Sequence, residues 1–264
     1  MPELPDVAVF KKYLDATSLH QRISATECLD GRIVKGVSRR KLQQRLKGQR
    51  LDATVRHGKW LFAPLSDGGA FVMHFGMTGN VDYGPDEGDP PEHTRFVLHL
   101  AEGKRLAIVS QRMIGRVSWA EEIETVLAEH DVGVDALSDE LDAATFAEIV
   151  GSRRGAIKST LMNQSVIAGI GNVYSDEILF QAGVHPAAGA NELDEKTLRK
   201  LHRVMTRVLQ TATRKGADAR DMPRTWLMGN RGGDQPCPRC GGEIEDIVVS
   251  GRRGWYCPRC QPGG

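Results

Sequence analysis

Hydrophobic positions near the N-terminus recur at helical spacing. Val7, Phe10 and Leu14 fall on one face, which predicts an amphipathic helix over 5–18. From about 23 to 119 the period changes. Leu51, Ala53 and Val55 alternate, as do Phe96, Leu98 and Leu100, while 70–75 and 106–109 are short apolar runs. Gly and Asp-Gly turns separate these segments. The pattern predicts a β-sandwich with the first helix packed at its end.

Helical signals take over after 120. Ser138, Asp139, Glu140 and Leu141 read as a linker, and 145–150 and 156–164 as helices, with Leu161, Met162 and Val166 facing a core. The stretch Ala168-Gly169-Ile170-Gly171-Asn172 is a tight turn into a helix over 173–182 that stops at Gly183. Leu198, Leu201, Val204, Met205, Val208 and Leu209 define a long amphipathic helix across 194–213. The segment 214–235, rich in Gly, Arg and Asp, reads as a loop. The sequence shows neither an internal repeat nor a low-complexity tract.

At 264 residues the chain is long enough for one large or two modest domains. No apolar run approaches the ~18 residues of a membrane span, and the start lacks a basic-then-apolar leader. The expectation is a cytoplasmic chain with no membrane partner. Net charge is +1 overall but unevenly spread. Residues 1–150 carry 18 Lys+Arg against 23 Asp+Glu, and residues 151–264 carry 17 against 11, giving −5 and +6. The basic half suggests a polyanionic partner.

Four of the five Cys lie within 237–264. Cys237-x₂-Cys240 and Cys257-x₂-Cys260 enclose 16 residues, the spacing of a four-thiolate zinc ribbon. A redox dithiol is the rival reading; two matched pairs favour one structural Zn²⁺. Ile247-Val248-Val249 and Trp255-Tyr256 can form a hairpin between the pairs, with Arg252 and Arg253 at its tip and suited to phosphate. Cys28 reads as a lone buried thiol.

The first residues, Met1-Pro2-Glu3-Leu4-Pro5-Asp6, carry candidate chemistry. With Met1 removed, Pro2 presents a secondary amine, and a free α-amine has a pKa of roughly 7.7–8.0. Attack of that amine on an aldehyde carbon gives an iminium that serves as an electron sink, with Glu3 beside it as an acid or base. The same residues also read as a helix start, with Pro5 at the first helical position and Asp6 in the first turn.

Taken in order, the Pro-Glu-Leu-Pro start, Gly58-Lys59, His74-x-Gly76-Met77, Gly169-Ile170-Gly171-Asn172 and the terminal Cys pairs resemble the formamidopyrimidine-DNA glycosylase and endonuclease VIII family over essentially the whole chain. The resemblance implies an α+β fold. Its parts are an N-terminal catalytic β-sandwich domain with a terminal helix (1–135), a helical helix–two-turn–helix DNA-binding domain (136–232) and a zinc ribbon (233–264), with DNA in the cleft between sandwich and helices. The implied activity is base-excision repair: removal of oxidised or ring-opened bases, then β,δ-elimination at the abasic site through a Pro2 iminium. By position Pro2 is the nucleophile, Glu3 the acid–base group, and Lys59 a phosphate ligand that assists proton transfer. Lys59, His74, Asn172 and Arg252 would grip the backbone around the lesion. The side chain of Asn172 and the helix end it opens would both donate to phosphate. Met77, Arg112 and Ile114 would fill the gap left by the flipped nucleotide. Without the family, Met77 and Ile114 read as core, Arg112 as a surface charge, Lys59 as a hairpin residue and Asn172 as an N-cap. Partners implied are damaged double-stranded DNA and one structural zinc held by Cys237, Cys240, Cys257 and Cys260. The chain is expected to be a monomer, associated with the nucleoid when bound.

Three departures from the family pattern stand out. Ile114 and Met113 occupy positions where the family's oxidised-guanine enzymes usually carry Phe and a second Arg, and Asp6 stands where they have Glu. Only 21 residues, 216–236, separate the long helix from the ribbon, too few to match the base-capping loop of those enzymes. Met222-Pro223-Arg224-Thr225-Trp226-Leu227-Met228 in its middle predicts a compact turn. Two other classes fit parts of the pattern: a catalytically weak or inactive damaged-DNA-binding relative, and a zinc-ribbon RNA-binding module. The presence of Pro2, Glu3 and Lys59 argues against the first, and the long sandwich against the second.

Overall fold

The computed structural model describes residues 1–233 and 235–263. The chain divides into two compact units. One comprises Met1–Pro2 and Asp6–His130; the other comprises Glu3–Pro5 and the chain from Asp131 onward.

In the first unit, α1 (Leu4–Thr17, from Asp6 onward) is followed by β1 (Ile23–Cys28), α2 (Arg39–Leu46), β2 (Val55–His57), β3 (Trp60–Pro64), β4 (Ala70–His74), β5 (Gly79–Pro85), β6 (Thr94–Leu100), β7 (Lys104–Ser110), β8 (Arg116–Ala120) and α3 (Ile123–Glu129). The strands form two antiparallel four-stranded sheets, ordered β1-β6-β7-β5 and β2-β3-β4-β8. Leu61, Ala63, Phe71 and Met73 from one sheet meet Phe96, Leu98, Leu106 and Ile108 from the other in one core. Phe71 and Phe96 stack there at 6.0 Å. This is the expected sandwich, with Val7 and Leu14 of α1 and Leu42 and Leu46 of α2 adding to its core.

One expected alternation is absent from the fold. Of Leu51, Ala53 and Val55, only Leu51 is buried, Ala53 and Val55 are exposed, and Leu51 makes a single bridge to Leu65. The ordered strand starts at Val55 and runs only three residues. Thr54, a polar position in the alternation, is buried instead. Ala and Val at two of three sites offered too little apolar surface to fix the face.

The second unit holds β9 (Val134–Asp135), α4 (Ala143–Gly151), α5 (Ile157–Met162), β10 (Ile167–Ala168), α6 (Asn172–Ala182), α7 (Glu195–Arg214), β11 (Glu245–Val249) and β12 (Arg252–Tyr256). Ser138–Leu141, expected as a linker, is internal to this unit. Leu141 is buried in its core, and its amide donates to the Ser138 carbonyl at 3.1 Å. Asp142 caps α4 by accepting from Ala144 N and Thr145 N, and Asp194 caps α7 through Thr197 N. Gly183 ends α6 in the left-handed conformation, φ 71°. Phe146, Leu161, Ile178, Leu201, Met205 and Leu209 pack the helices together. Within 214–235, Ala219–Asp221 and Leu227–Asn230 form 3₁₀ turns, and Met222, Trp226 and Leu227 are buried. Among the described residues no helix is long and apolar enough to cross a membrane.

Candidate functional site

Glu3 is 1% exposed, and its carboxylate sits on the first turn of α6. Gly171 N donates to Oε2 at 2.5 Å, Tyr174 N to Oε2 at 3.3 Å and Val173 N to Oε1 at 2.9 Å. Both oxygens therefore accept, an arrangement that suits an ionised carboxylate at the positive end of a helix. Gly171 is the N-cap, and a Cβ placed there would lie 2.5 Å from Glu3 Cδ. Leu4 N donates to Gly169 O at 2.9 Å. The Gly-Ile-Gly-Asn turn is thus a cradle for the N-terminal segment. Pro2, peptide-bonded to Glu3, is half-buried, and Met1 is exposed.

This corrects one expectation. The amides of Gly171, Val173 and Tyr174 are bound by Glu3, so those three are not offered to phosphate. Asn172 is the first helical residue rather than the cap, and its Nδ2 donates to Arg253 O at 2.8 Å. That bond joins the start of α6 to β12, where Arg252 is exposed and pairs in register with Val249. Arg253 pairs with Asp246 at 3.0 Å, whereas Arg252 has no ion pair among the described residues.

The remaining candidates lie in the first unit. Gly58 (φ 55°) turns the β2–β3 hairpin and leaves Lys59, 8% exposed, next to Trp60. His74 ends β4, its ring 4.8 Å from that of Trp60. Burial, with Arg116, Lys59 and His130 nearby, pushes the His74 pKa down to about 4. Gly76 N donates to Nδ1 at 3.3 Å, so the proton of the neutral ring is on Nε2.

Met77, Arg112 and Ile114 occupy two adjoining loops. Arg112 N donates to Thr78 Oγ1 at 3.1 Å, and a Cβ on Gly76 (φ 60°) would lie 2.6 Å from the Gly115 amide. Only glycine allows that approach. Met77 is 37% and Ile114 55% exposed, and Arg112 is exposed. None of the three belongs to the core. Met113 (φ 56°) packs against the sandwich core, in place of a second cation beside Arg112.

The four Cys Sγ atoms lie within 4.8 Å of one another, with Cys237–Cys260 at 3.7 Å and Cys240–Cys257 at 3.6 Å. A tetrahedron of thiolates each ~2.3 Å from zinc has edges of about 3.8 Å, so the set fits one structural Zn²⁺. Phe180, Leu227, Cys237, Ile244 and Cys257 form a small core beneath it.

The decisive comparison is with known proteins. Residues 1–117 match the formamidopyrimidine-DNA glycosylase N-terminal domain, 132–223 the H2TH domain of the same enzyme, and 234–263 the zinc finger found in FPG and IleRS. A formamidopyrimidine-DNA glycosylase of Roseiflexus sp. (strain RS-1) is 33% identical over 274 residues, covering 99% of this chain and all of the relative. The chain belongs to the formamidopyrimidine-DNA glycosylase family. The glycosylase of Moorella thermoacetica is 34% identical over 98% of this chain and 92% of its own. The wild-type Lactococcus lactis family member, crystallised with N7-benzyl-Fapy-dG-containing DNA, superposes with a TM-score of 0.89 at 27% identity, covering 99% of this chain and all of that one. MutM in complex with carbocyclic 8-oxo-G-containing DNA gives 0.90 at 27% identity, with the same coverage.

Two groups of this family member went unread in the sequence. Lys158, fully buried, pairs with Asp176 at 2.5 Å; Asp176 also takes Arg231 at 2.9 Å and Trp255 N at 3.2 Å. Beside it, buried Glu177 accepts from Gln181 Nε2 at 2.8 Å and from Met228 N at 2.9 Å. Burial raises its pKa to about 7 against those hydrogen bonds and Arg239. Consecutive acids thus tie the ribbon and the preceding loop to α6. The available signal was an Asp-Glu pair inside the otherwise uncharged run Val173–Phe180.

Proposed function

We propose that this chain is a bifunctional DNA glycosylase and abasic-site lyase that acts on damaged duplex DNA through the amine of Pro2. The observation that carries the reading is the seat of Glu3 in the α6 cradle, which fixes the N-terminal dipeptide in place. After Met1 is removed, the Pro2 nitrogen forms a bond to deoxyribose C1′ as the C1′–base bond breaks and the base leaves with the bonding pair. Loss of the nitrogen proton and opening of the sugar ring, with a proton delivered to the ring oxygen, gives the C1′ iminium. That cation acidifies C2′, whose deprotonation expels the 3′ phosphate; a second elimination expels the 5′ phosphate. Water then releases the sugar fragment and restores the amine. Glu3 and Lys59 serve these proton transfers.

Lys59 and His74 on the first unit, and Asn172 and Arg252 on the second, bind backbone phosphates. Met77, Arg112 and Ile114 enter the duplex where the nucleotide leaves it, and their exposure suits a wedge. The loop before the ribbon is tied down at two amides, Met228 N donating to Glu177 and Trp226 N to Pro223 O, and the Trp226 side chain is buried. Abasic-site cleavage is therefore expected to be fast, ring-opened purines and oxidised pyrimidines good base substrates, and 8-oxoguanine slow.

Borohydride trapping on an abasic duplex tests the chemistry. Protein starting at Pro2 is expected to form a covalent adduct, while Pro2→Gly and protein that retains Met1 are not. Equal trapping by a verified Met1-retaining protein would overturn the assignment. An intact protein that binds the duplex without forming adduct would instead be the non-catalytic relative.

A further inference from the structure

The basic surplus of the C-terminal half has an unexpected location. Residues 195–215 carry Lys196, Arg199, Lys200, Arg203, Arg207, Arg214 and Lys215 against Glu195 alone, a balance of 7 − 1 = +6. The whole of 151–264 is also +6, so everything outside this stretch, α7 with its capping Lys215, balances at 10 to 10. The surplus belongs to α7 rather than to the Asn172–Arg252 neighbourhood.

All seven cations are exposed, on the face opposite buried Leu198, Leu201, Met205, Val208, Leu209 and Ala212. From Lys196 to Arg207 the cations are spaced by three and four residues, and Arg214 follows two turns later on a helix about 30 Å long. Little neutralises it. Arg199 pairs with Glu195 at 2.7 Å, and Lys200 donates to Ala182 O at 2.6 Å. Lys196, Arg203, Arg207, Arg214 and Lys215 have no ion pair among the described residues. A depression lined by Gln181, Lys200, Arg203, Val204 and Arg207 lies at the C-terminal end of α6. Asn172, at the other end of that helix, is about 15 Å along its axis from there.

The composition of the face selects the partner. Its most exposed positions are Lys, Arg and Gln210, with no apolar or aromatic residue to form the core of a protein–protein interface. The apolar side of α7 is committed to the helical core, so it cannot enter a bilayer. Evenly spaced guanidinium and ammonium groups without apolar anchors match a phosphate backbone, read for charge and not for sequence.

We infer that the outer face of α7 is a second, lesion-independent surface for duplex DNA, by which the protein takes hold of another segment before releasing the first. The inference rests on the chain being a DNA-handling enzyme, but not on the Pro2 chemistry.

The test uses full-length, zinc-loaded protein bound to a fluorescent 13-bp duplex containing a tetrahydrofuran abasic analogue. Dissociation is followed against rising concentrations of an undamaged, unlabelled 30-bp duplex. For the wild type the dissociation rate is expected to climb at least threefold with competitor. For Arg203→Glu/Arg207→Glu it is expected to stay flat, with affinity for the 13-bp duplex within twofold of wild type. The milder Arg203→Gln/Arg207→Gln variant guards against a folding defect and is expected to show a reduced slope. It should also lower the salt dependence of undamaged-duplex binding by about two logarithmic units of slope, at ~0.9 per phosphate contact. A competitor-independent rate in the wild type, or equal slopes in wild type and both variants, would overturn the inference. Acceleration by polyglutamate at equal charge that matches the duplex would make the face a docking site for acidic protein and would also overturn it. Abasic-site cleavage, measured in parallel, separates the two readings. Loss of cleavage with the competitor effect intact would count against the lyase alone.

Discussion

Replacing Gly171 by Ala should disable the Pro2 chemistry from a residue that needs no contact with DNA. The backbone there (φ −128°, ψ −156°) is open to any residue, so the effect is steric. The new Cβ would lie 2.5 Å from Glu3 Cδ and 2.6 Å from Oε1, where carbon contacts settle at about 3.5–4.0 Å. The carboxylate must retreat by about 1 Å, and the amides of Gly171, Val173 and Tyr174 lose their acceptor. One buried N–H without a partner costs about 1–3 kcal/mol, and the lost attraction to the helix end adds up to ~2 kcal/mol. A net destabilisation of about 2–4 kcal/mol is expected. Because Pro2 is bonded to Glu3, the proposed nucleophile moves too, and a 1 Å misplacement is worth roughly 10²-fold in rate. Single-turnover borohydride trapping on an abasic duplex reads the rate, with zinc content as a control for the fold of the ribbon. A double-mutant cycle supplies the sharper check. Once Glu3→Ala has removed the clashing group, Gly171→Ala should cost little further stability. Wild-type trapping by Gly171→Ala, or fully additive costs in the cycle, would refute the reasoning.

Zinc removal should free the knuckles that hold the β11–β12 hairpin. Metal analysis is expected to find one zinc per chain, and Cys240→Ser to lose it together with affinity for an abasic-analogue duplex. For His74, a folded pKa near 4 lies below the free value, so stability from the neutral ring is complete above about 6.5 and is lost as pH falls through 4. The phosphate contact proposed for His74 would then be a neutral one. His74→Ala should cost about 0.5–1.5 kcal/mol in DNA binding, unchanged from pH 6.5 to 8, and leave the salt slope intact; a slope lowered by about 0.9 would show a charged imidazole. For Glu177 the sign is opposite. Its folded pKa is raised from 4.5 to about 7, so its contribution is present below about 4.5 and is lost as pH rises through 7, by about 3 kcal/mol. Glu177→Gln should flatten that dependence in urea unfolding followed by tryptophan fluorescence, and an unchanged pH profile would exclude Glu177 as its source.

Much of this architecture was legible because the signals were periodic or chemically exclusive. The α7 core positions, Leu198 to Ala212, repeat over about four turns, and four Cys in two close pairs have few other uses. The Gly-Ile-Gly-Asn turn was legible only as a turn. That its glycines make room for Glu3, 168 residues away in sequence, is a long-range packing fact with no local periodicity. Local chemistry also misdirected: Asn before a helix reads as a cap, yet a distant carboxylate had taken the amides. Met77 and Ile114 were apolar residues without a period, and only the loop geometry at Gly76 shows why they stand outside the core. Lys158 and Asp176 were hidden for the opposite reason, since a buried ion pair is visible in sequence only as two charges on apolar faces.

The Lys158–Asp176–Arg231 trio constrains how this chain can vary. Changing Asp176 alone strands two cations, one of them fully enclosed, and removes the acceptor for Trp255 N; breaking a buried pair in this way costs about 3–5 kcal/mol. Changing Lys158 alone leaves Arg231, at the rim, as the one cation paired with Asp176 among the described residues. Replacing all the partners with well-packed apolar side chains could be nearly neutral, but every single-step route there passes through a poorly stable intermediate. The three positions should therefore change together or not at all, and the docking of the ribbon on α6 is inherited as one indivisible unit.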